Sequence, residues 1–88
     1  MAHMLARLRG AKVETIKDVL LADAPKHAEQ GFSLQHVWQN VDDANEVLFL
    51  FQTDDLVRAK QFIQHVHAEA LKANPQANLP HITYLEER

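Results

Sequence analysis

The sequence predicts an α+β domain of ferredoxin-like order, βαββαβ, in which four antiparallel strands form one sheet and both helices cover one face of it. Three observations carry that expectation. Polarity alternates every second residue over Phe32–Val41, it repeats every three to four residues over two longer segments, and an unbroken apolar run, Val47 to Phe51 (VLFLF), precedes the second of these.

The first element is the weakest. Met4 to Arg9 (MLARLR) alternates only loosely, but Gly10 stops it, and it reads as a strand. From Ala11 the period changes: Val13, Ile16, Leu20, Ala24 and His27 form one stripe of an amphipathic helix ending near Gly31, a residue suited to a left-handed C-terminal cap. Pro25 cannot donate to the carbonyl of Leu21, which predicts a kink there, with Asp23 capping the second half. In the next strand, Phe32, Leu34, His36, Trp38 and Asn40 share one face, and Ser33, Gln35, Val37, Gln39 and Val41 the other.

The polar stretch Asp42–Glu46 (DDANE) makes a turn, and VLFLF follows as a strand that wants burial on both sides. Asp54 and Asp55 cap a second helix, whose inner stripe is Leu56, Ala59, Phe62, Ile63, Val66 and Ala70 and which closes at Asn74-Pro75. His81 to Leu85 (HITYL) is the last strand, followed by a charged tail.

Two helices on one face leave the other face bare. It presents either Val47, Phe49 and Phe51 or Leu48 and Leu50, according to register. A patch of that kind is not left in water by a stable monomer. Each large side chain is worth roughly 1.5–3 kcal/mol on burial, so two such sheets packed face to face predict a homodimer.

Composition narrows the functional classes. Eighty-eight residues make one small domain, residues 1–88, that benefits from a partner subunit. The absence of cysteine excludes disulfides and thiolate metal sites, and agrees with a cytoplasmic location. No apolar run is long enough for a bilayer and no signal-peptide pattern opens the chain, so no membrane partner is expected. Met1–His3 precede a second Met at position 4 in the manner of an expression remnant, and His3 is set aside as evidence for a site. Full protonation of the six histidines would carry the net charge from −3 to +3, yet no basic stripe or base-stacking motif points to nucleic acid.

The linked segments VETIKDVLLADAPKHAEQGF, HVWQNVDDANEVLFLFQTDDLVRAKQFI and LPHITYLEE resemble small uncharacterised bacterial proteins of the dimeric α+β barrel superfamily, relatives of the antibiotic-biosynthesis monooxygenase domains. The most characteristic part is the hairpin and helix entry, Asp42 to Val47 and Asp54-Asp55-Leu56, with Pro80 and Leu85-Glu86-Glu87 at the end. That resemblance implies a homodimer whose two sheets form a barrel, with a small-molecule pocket in each subunit between sheet and helices or near the subunit boundary. The superfamily spans oxygenase, haem-degrading, isomerase and chlorite-processing activities, so it implies no single reaction.

Among candidate site residues, His36 and Trp38 share a strand face, where an imidazole beside an indole can bind and protonate a flat substrate; packing in a barrel seam explains the same pair. Tyr84 and His81 lie on opposite faces of the last strand, so at most one shares a pocket, and Asn40 is a further polar candidate. No metal site is expected. His65 and His67 project roughly 200° apart on a helix, and His36 and His81 lie on opposite edge strands, on the order of 14 Å apart at ~4.8 Å per strand. The acidic turn lacks the spacing of a calcium loop and is explained by solvation. Two glycines build no phosphate loop, Ser33 lacks a nucleophile-elbow context, and no cofactor is expected.

The reading that follows is a homodimeric small-molecule binder or structural module. Its alternative is a cofactor-independent monooxygenase or isomerase acting on an aromatic or polyketide-like substrate, with Trp38, Asn40, His36 and Tyr84 as pocket groups. A cavity on the order of 300 Å³ against His36 and Trp38 would favour the alternative.

Overall fold

In the computed structural model, which describes residues 1–88, the elements are β1 (Ala2–Arg9), α1 (Val13–Glu29), β2 (Phe32–Asn40), β3 (Asp43–Thr53), α2 (Leu56–Ala73) and β4 (His81–Glu86). The four strands form one sheet in the order β2-β3-β1-β4, with every neighbouring pair antiparallel. This is the ferredoxin-like arrangement expected from the periodicities, and β2 and β4 are its edges.

Several boundaries differ from the expectation for identifiable reasons. Strand β1 begins at Ala2, and His3 pairs with Gln52 on one side and Leu85 on the other, so Ala2 and His3 of the segment read as a remnant are part of the sheet. Strand β3 starts inside the polar stretch expected to turn. There Arg9 of the neighbouring strand binds Asp43 at 2.7 Å and Glu46 at 3.3 Å, so opposite charges across the strands support extended backbone in a segment of poor strand propensity. Helix α1 runs unbroken through Pro25, and Asp23 starts no second helix. At α2 only Asp55 caps, accepting from the Arg58 N–H at 3.1 Å, while Asp54 stays exposed. Gly31 closes α1 at φ +84°, the left-handed conformation expected of it.

The register settles which face of each strand meets the helices. Met4, Ala6 and Leu8 of β1 and Val47, Phe49 and Phe51 of β3 are buried with Phe32, Leu20, Ala59 and Ile63 in one core. Phe32, Phe49 and Phe51 meet edge to face at centroid distances of 5.2 and 5.7 Å, a favoured aromatic geometry. Of the residues proposed for a partner face, Val47, Phe49 and Phe51 are therefore covered by helices; Leu48 and Leu50 point the other way.

Thr53 ends this inner row. Its hydroxyl donates to the Gly31 carbonyl at 2.7 Å and accepts from the Asp55 N–H at 3.0 Å, so one buried oxygen joins the end of β3, the α1–β2 corner and the start of α2.

Strand β2 departs from strict alternation. Leu34 pairs with Phe51 but His36 pairs with Leu50, and this register shift marks a β-bulge. The extra residue turns His36 and Trp38 onto the face opposite to Phe32 and Leu34, correcting the single-face pattern expected over the whole segment. A second irregularity lies between Gln39 and Asn40, and Val41 falls outside the strand in the turn.

The open face consequently reads in rows across the sheet: His36, Leu50, Leu5, Thr83; then Trp38, Leu48, Arg7, His81; then Ser33, Gln52, His3, Leu85. Leu50, Leu5 and Leu48 lie on its two central strands with Gln52, His3 and Arg7, and Trp38 and Leu85 lie on its edge strands. No helix covers it, and Trp38 and Leu85 remain 44% and 42% exposed. No helix of the chain is long and apolar enough to cross a membrane.

Candidate functional site

Between the covered face of the sheet and the two helices lies a cavity of about 210 Å³. Its floor is Leu8, Phe49, Phe51 and Ile82 from the sheet, and Ile16 of α1 and Phe62 of α2 are among its walls. Val19 and Val66 stand at the open side, each substantially exposed. Three polar side chains interrupt this apolar lining: Asp23 and His27 from α1, and His67 from α2.

His27 is placed by helix periodicity. It continues the inner stripe of α1, and its ring stacks on Phe32 at 4.6 Å and meets the edge of Phe51 at 5.2 Å. No intramolecular hydrogen bond holds the ring, and its nitrogens are not sealed from solvent. Burial lowers its pKa below the ordinary 6.5; the Asp23 carboxylate opposes that effect and Lys26 adds to it. His67 follows Ile63 by four residues on the inner side of α2, and burial likewise lowers its pKa. At neutral pH both rings are uncharged, so each offers one donor and one acceptor nitrogen inside an apolar enclosure. Such a site can hold an apolar body by contact area and orient one hydroxyl or carbonyl group by hydrogen bond. A neutral imidazole can also accept a proton there.

None of the residues expected to form a pocket, His36, Trp38, Asn40, Tyr84 and His81, lines this cavity, whereas Phe49 and Phe51, expected as candidates for a partner face, floor it. His36 and Trp38 do come together, with rings stacked at 5.0 Å and 19°, but on the open face of the sheet, and no cavity lies against them in the single chain. His81 lies on that same face at the opposite edge, across from Arg7. Asn40 belongs to the β2–β3 hairpin: its amide donates to Glu46 at 3.0 Å and its oxygen accepts from the Asp42 N–H at 2.9 Å. Tyr84 is on the helix side, as its pairing with Met4 requires, with the Lys60 ammonium 4.7 Å from its ring centre. Partial burial raises its phenol pKa. No cluster of three His, Asp or Glu side chains is placed to hold a metal ion.

The residues that do line the cavity were visible in part. His27 sits on the predicted inner stripe of the first helix, where a histidine among apolar positions is itself a signal. His67 shares the inner side of its helix with Ile63 and Ala70, although the His65-Val66-His67 triplet drew attention only as a chelating pair that geometry forbids.

No family model and no curated protein sequence matches this chain. Solved structures do. A "putative antibiotic biosynthesis monooxygenase" from Deinococcus radiodurans superposes with a TM-score of 0.63 at 17% identity, covering 100% of this chain and 93% of the other. The protein Rv0793 from Mycobacterium tuberculosis superposes with a TM-score of 0.64, again at 17% identity, over 99% and 94% of the two chains. What is common to all three is the ferredoxin-like fold, shared from end to end.

Proposed function

We propose that this chain is a homodimeric small-molecule-binding protein whose ligand is an apolar, ring-sized molecule carrying a hydrogen-bonding group. The observation that supports it is the cavity of about 210 Å³, whose mainly apolar wall is interrupted by the Asp23 carboxylate and by two imidazoles whose pKa burial lowers. An apolar cavity of about 150 Å³ is sufficient for benzene, so this one accepts a substituted ring. The homodimer rests on the open sheet face, where a single chain leaves Trp38 and Leu85 exposed and Leu5, Leu48 and Leu50 only partly buried.

Titration of labelled protein with 2-naphthol, followed by two-dimensional NMR, tests the ligand site. Shifts confined to Leu8, Ile16, Ile63 and Ile82 support it. Shifts confined to Leu5, Leu48 and Leu50 would move the ligand to the other face and end this reading.

A second reading is favoured by the same neutral imidazoles together with the name of the Deinococcus neighbour. It is cofactor-independent catalysis that begins with removal of a proton from a substrate methylene carbon. Return of that proton to a different carbon completes an isomerisation. In an oxygenation the carbanion instead reduces dioxygen: one oxygen atom stays on carbon as a carbonyl, and the other leaves as water with both hydrogens of the methylene. Oxygen uptake with an electron-rich aromatic ketone that is lost in both His27→Phe and His67→Phe supports it. Uptake that persists in both variants removes these histidines from the chemistry.

A further inference from the structure

A second hollow, of about 400 Å³, lies on the outer side of α1 between that helix and β2, lined by Leu21, Ala24, Ala28, Ser33 and Leu34. It shares three residues with the cavity beneath the helices: Leu20, His27 and Phe32 line both. The two spaces are therefore separated by a wall one side chain thick, and the stacked pair His27 and Phe32 is part of that wall.

This wall is poorly fastened. The His27 ring is held by aromatic contact with no hydrogen bond, and Pro25, two residues before it, deprives the Leu21 carbonyl of its helical donor. Leu21 itself is 72% exposed although it lines the hollow, as an apolar side chain is when the space beside it is empty.

We infer that the cavity and the α1–β2 groove are two compartments of one binding site, joined when the His27 side chain rotates aside, and that the ligand is an elongated molecule with a ring in the cavity and an unbranched apolar tail in the groove. This rests on the cavity reading above and extends it from ring-sized to ring-and-tail ligands. The occupant follows from continuity: the groove meets the cavity through shared residues, it is mainly apolar, and it carries no charged side chain.

Phenol and 4-hexylphenol separate the two statements when their dissociation constants are measured with the wild-type protein and with Ala28→Phe and Ala24→Leu, which fill the groove without lining the cavity. Each buried methylene is worth about fourfold in affinity, so 4-hexylphenol should bind wild type at least about tenfold tighter than phenol. In the groove variants that preference should shrink below about threefold while phenol affinity stays unchanged. Intermolecular NOEs from the hexyl chain to the Leu34 and Ala28 methyls should accompany it. A tail preference absent from wild type, or undiminished in both variants, overturns the two-compartment site and leaves the cavity intact. Failure of both phenols to bind any form overturns the cavity reading and this one with it.

Discussion

Leu50→Asp and Phe49→Asp are neighbours in sequence with opposite expected outcomes. Leu50 lies in the middle row of the open face between His36 and Leu5, whereas Phe49 is 5% exposed beneath the helices. In a two-fold interface each residue counts from both protomers, so losing a leucine worth about 1.5–3 kcal/mol removes about 3–6 kcal/mol from the dimer, or about two to four decades in Kd. The facing carboxylates add to that loss. For Phe49, truncation alone costs about 3–5 kcal/mol and an unpaired buried carboxylate more, against a total stability of roughly 4–13 kcal/mol for a chain of this length. Sedimentation velocity at micromolar concentration, with circular dichroism melting, distinguishes them: Leu50→Asp should sediment as a folded monomer and Phe49→Asp should lose its cooperative transition. Dimeric Leu50→Asp, monomeric wild type, or Phe49→Asp melting like wild type would each refute the assignment of faces to partner and core.

Stability should fall as the solution is acidified through pH 6.5, because His27 and His67 have lowered pKa values when folded and the unfolded chain takes up protons first. The loss levels off below the folded values, and a His27→Phe/His67→Phe double variant should show a flatter melting temperature across that window. Thr53→Val should cost about 1–3 kcal/mol in urea unfolding, since the Asp55 N–H and the Gly31 carbonyl both lose their partner. Trp38, the single tryptophan, should shift its emission to the red when wild type is diluted through the dimer dissociation constant; emission independent of concentration while the dimer dissociates would remove it from the interface.

Periodicity made the six elements legible, and physical reasons account for what it left out. The stripes Val13, Ile16, Leu20 and Ala59, Ile63 are core residues or pack against the core, and the alternation over VLFLF divides into a helix-facing and an open-facing set. The polar start of β3 is not legible as a strand because its stability comes from Arg9 on another strand, a contact that has no local signature. The bulge beside Gln35 is not legible either. A bulge residue of this kind needs no special side chain, yet a single extra residue reverses the facing of everything after it, and so it moved His36 and Trp38 away from the helices. Whether the space between α1 and α2 is filled or hollow depends on their separation from the sheet, a quantity that no stretch of sequence carries. Periodicity places His27 on an inner stripe but omits His67 from the stripe of α2, and it puts neither beside an empty volume.

Strand β3 answers two demands at once. Its even-spaced set Val47, Phe49 and Phe51 faces the helices, where Phe49 and Phe51 floor the cavity, and its other set, Leu48 and Leu50, centres the open face. Adjacent side chains therefore belong to opposite surfaces, and only the backbone of one strand lies between the cavity and the open face. Coupling through such a connection is weak when the sets share no contacts, and independent sites combine to within about 0.3–0.5 kcal/mol. Monomeric Leu50→Asp should accordingly bind 2-naphthol within about twofold of the wild-type affinity by calorimetry. A complete loss of binding in a variant that remains folded would mean that the partner subunit closes the cavity, and the site would then belong to the dimer rather than to the single chain.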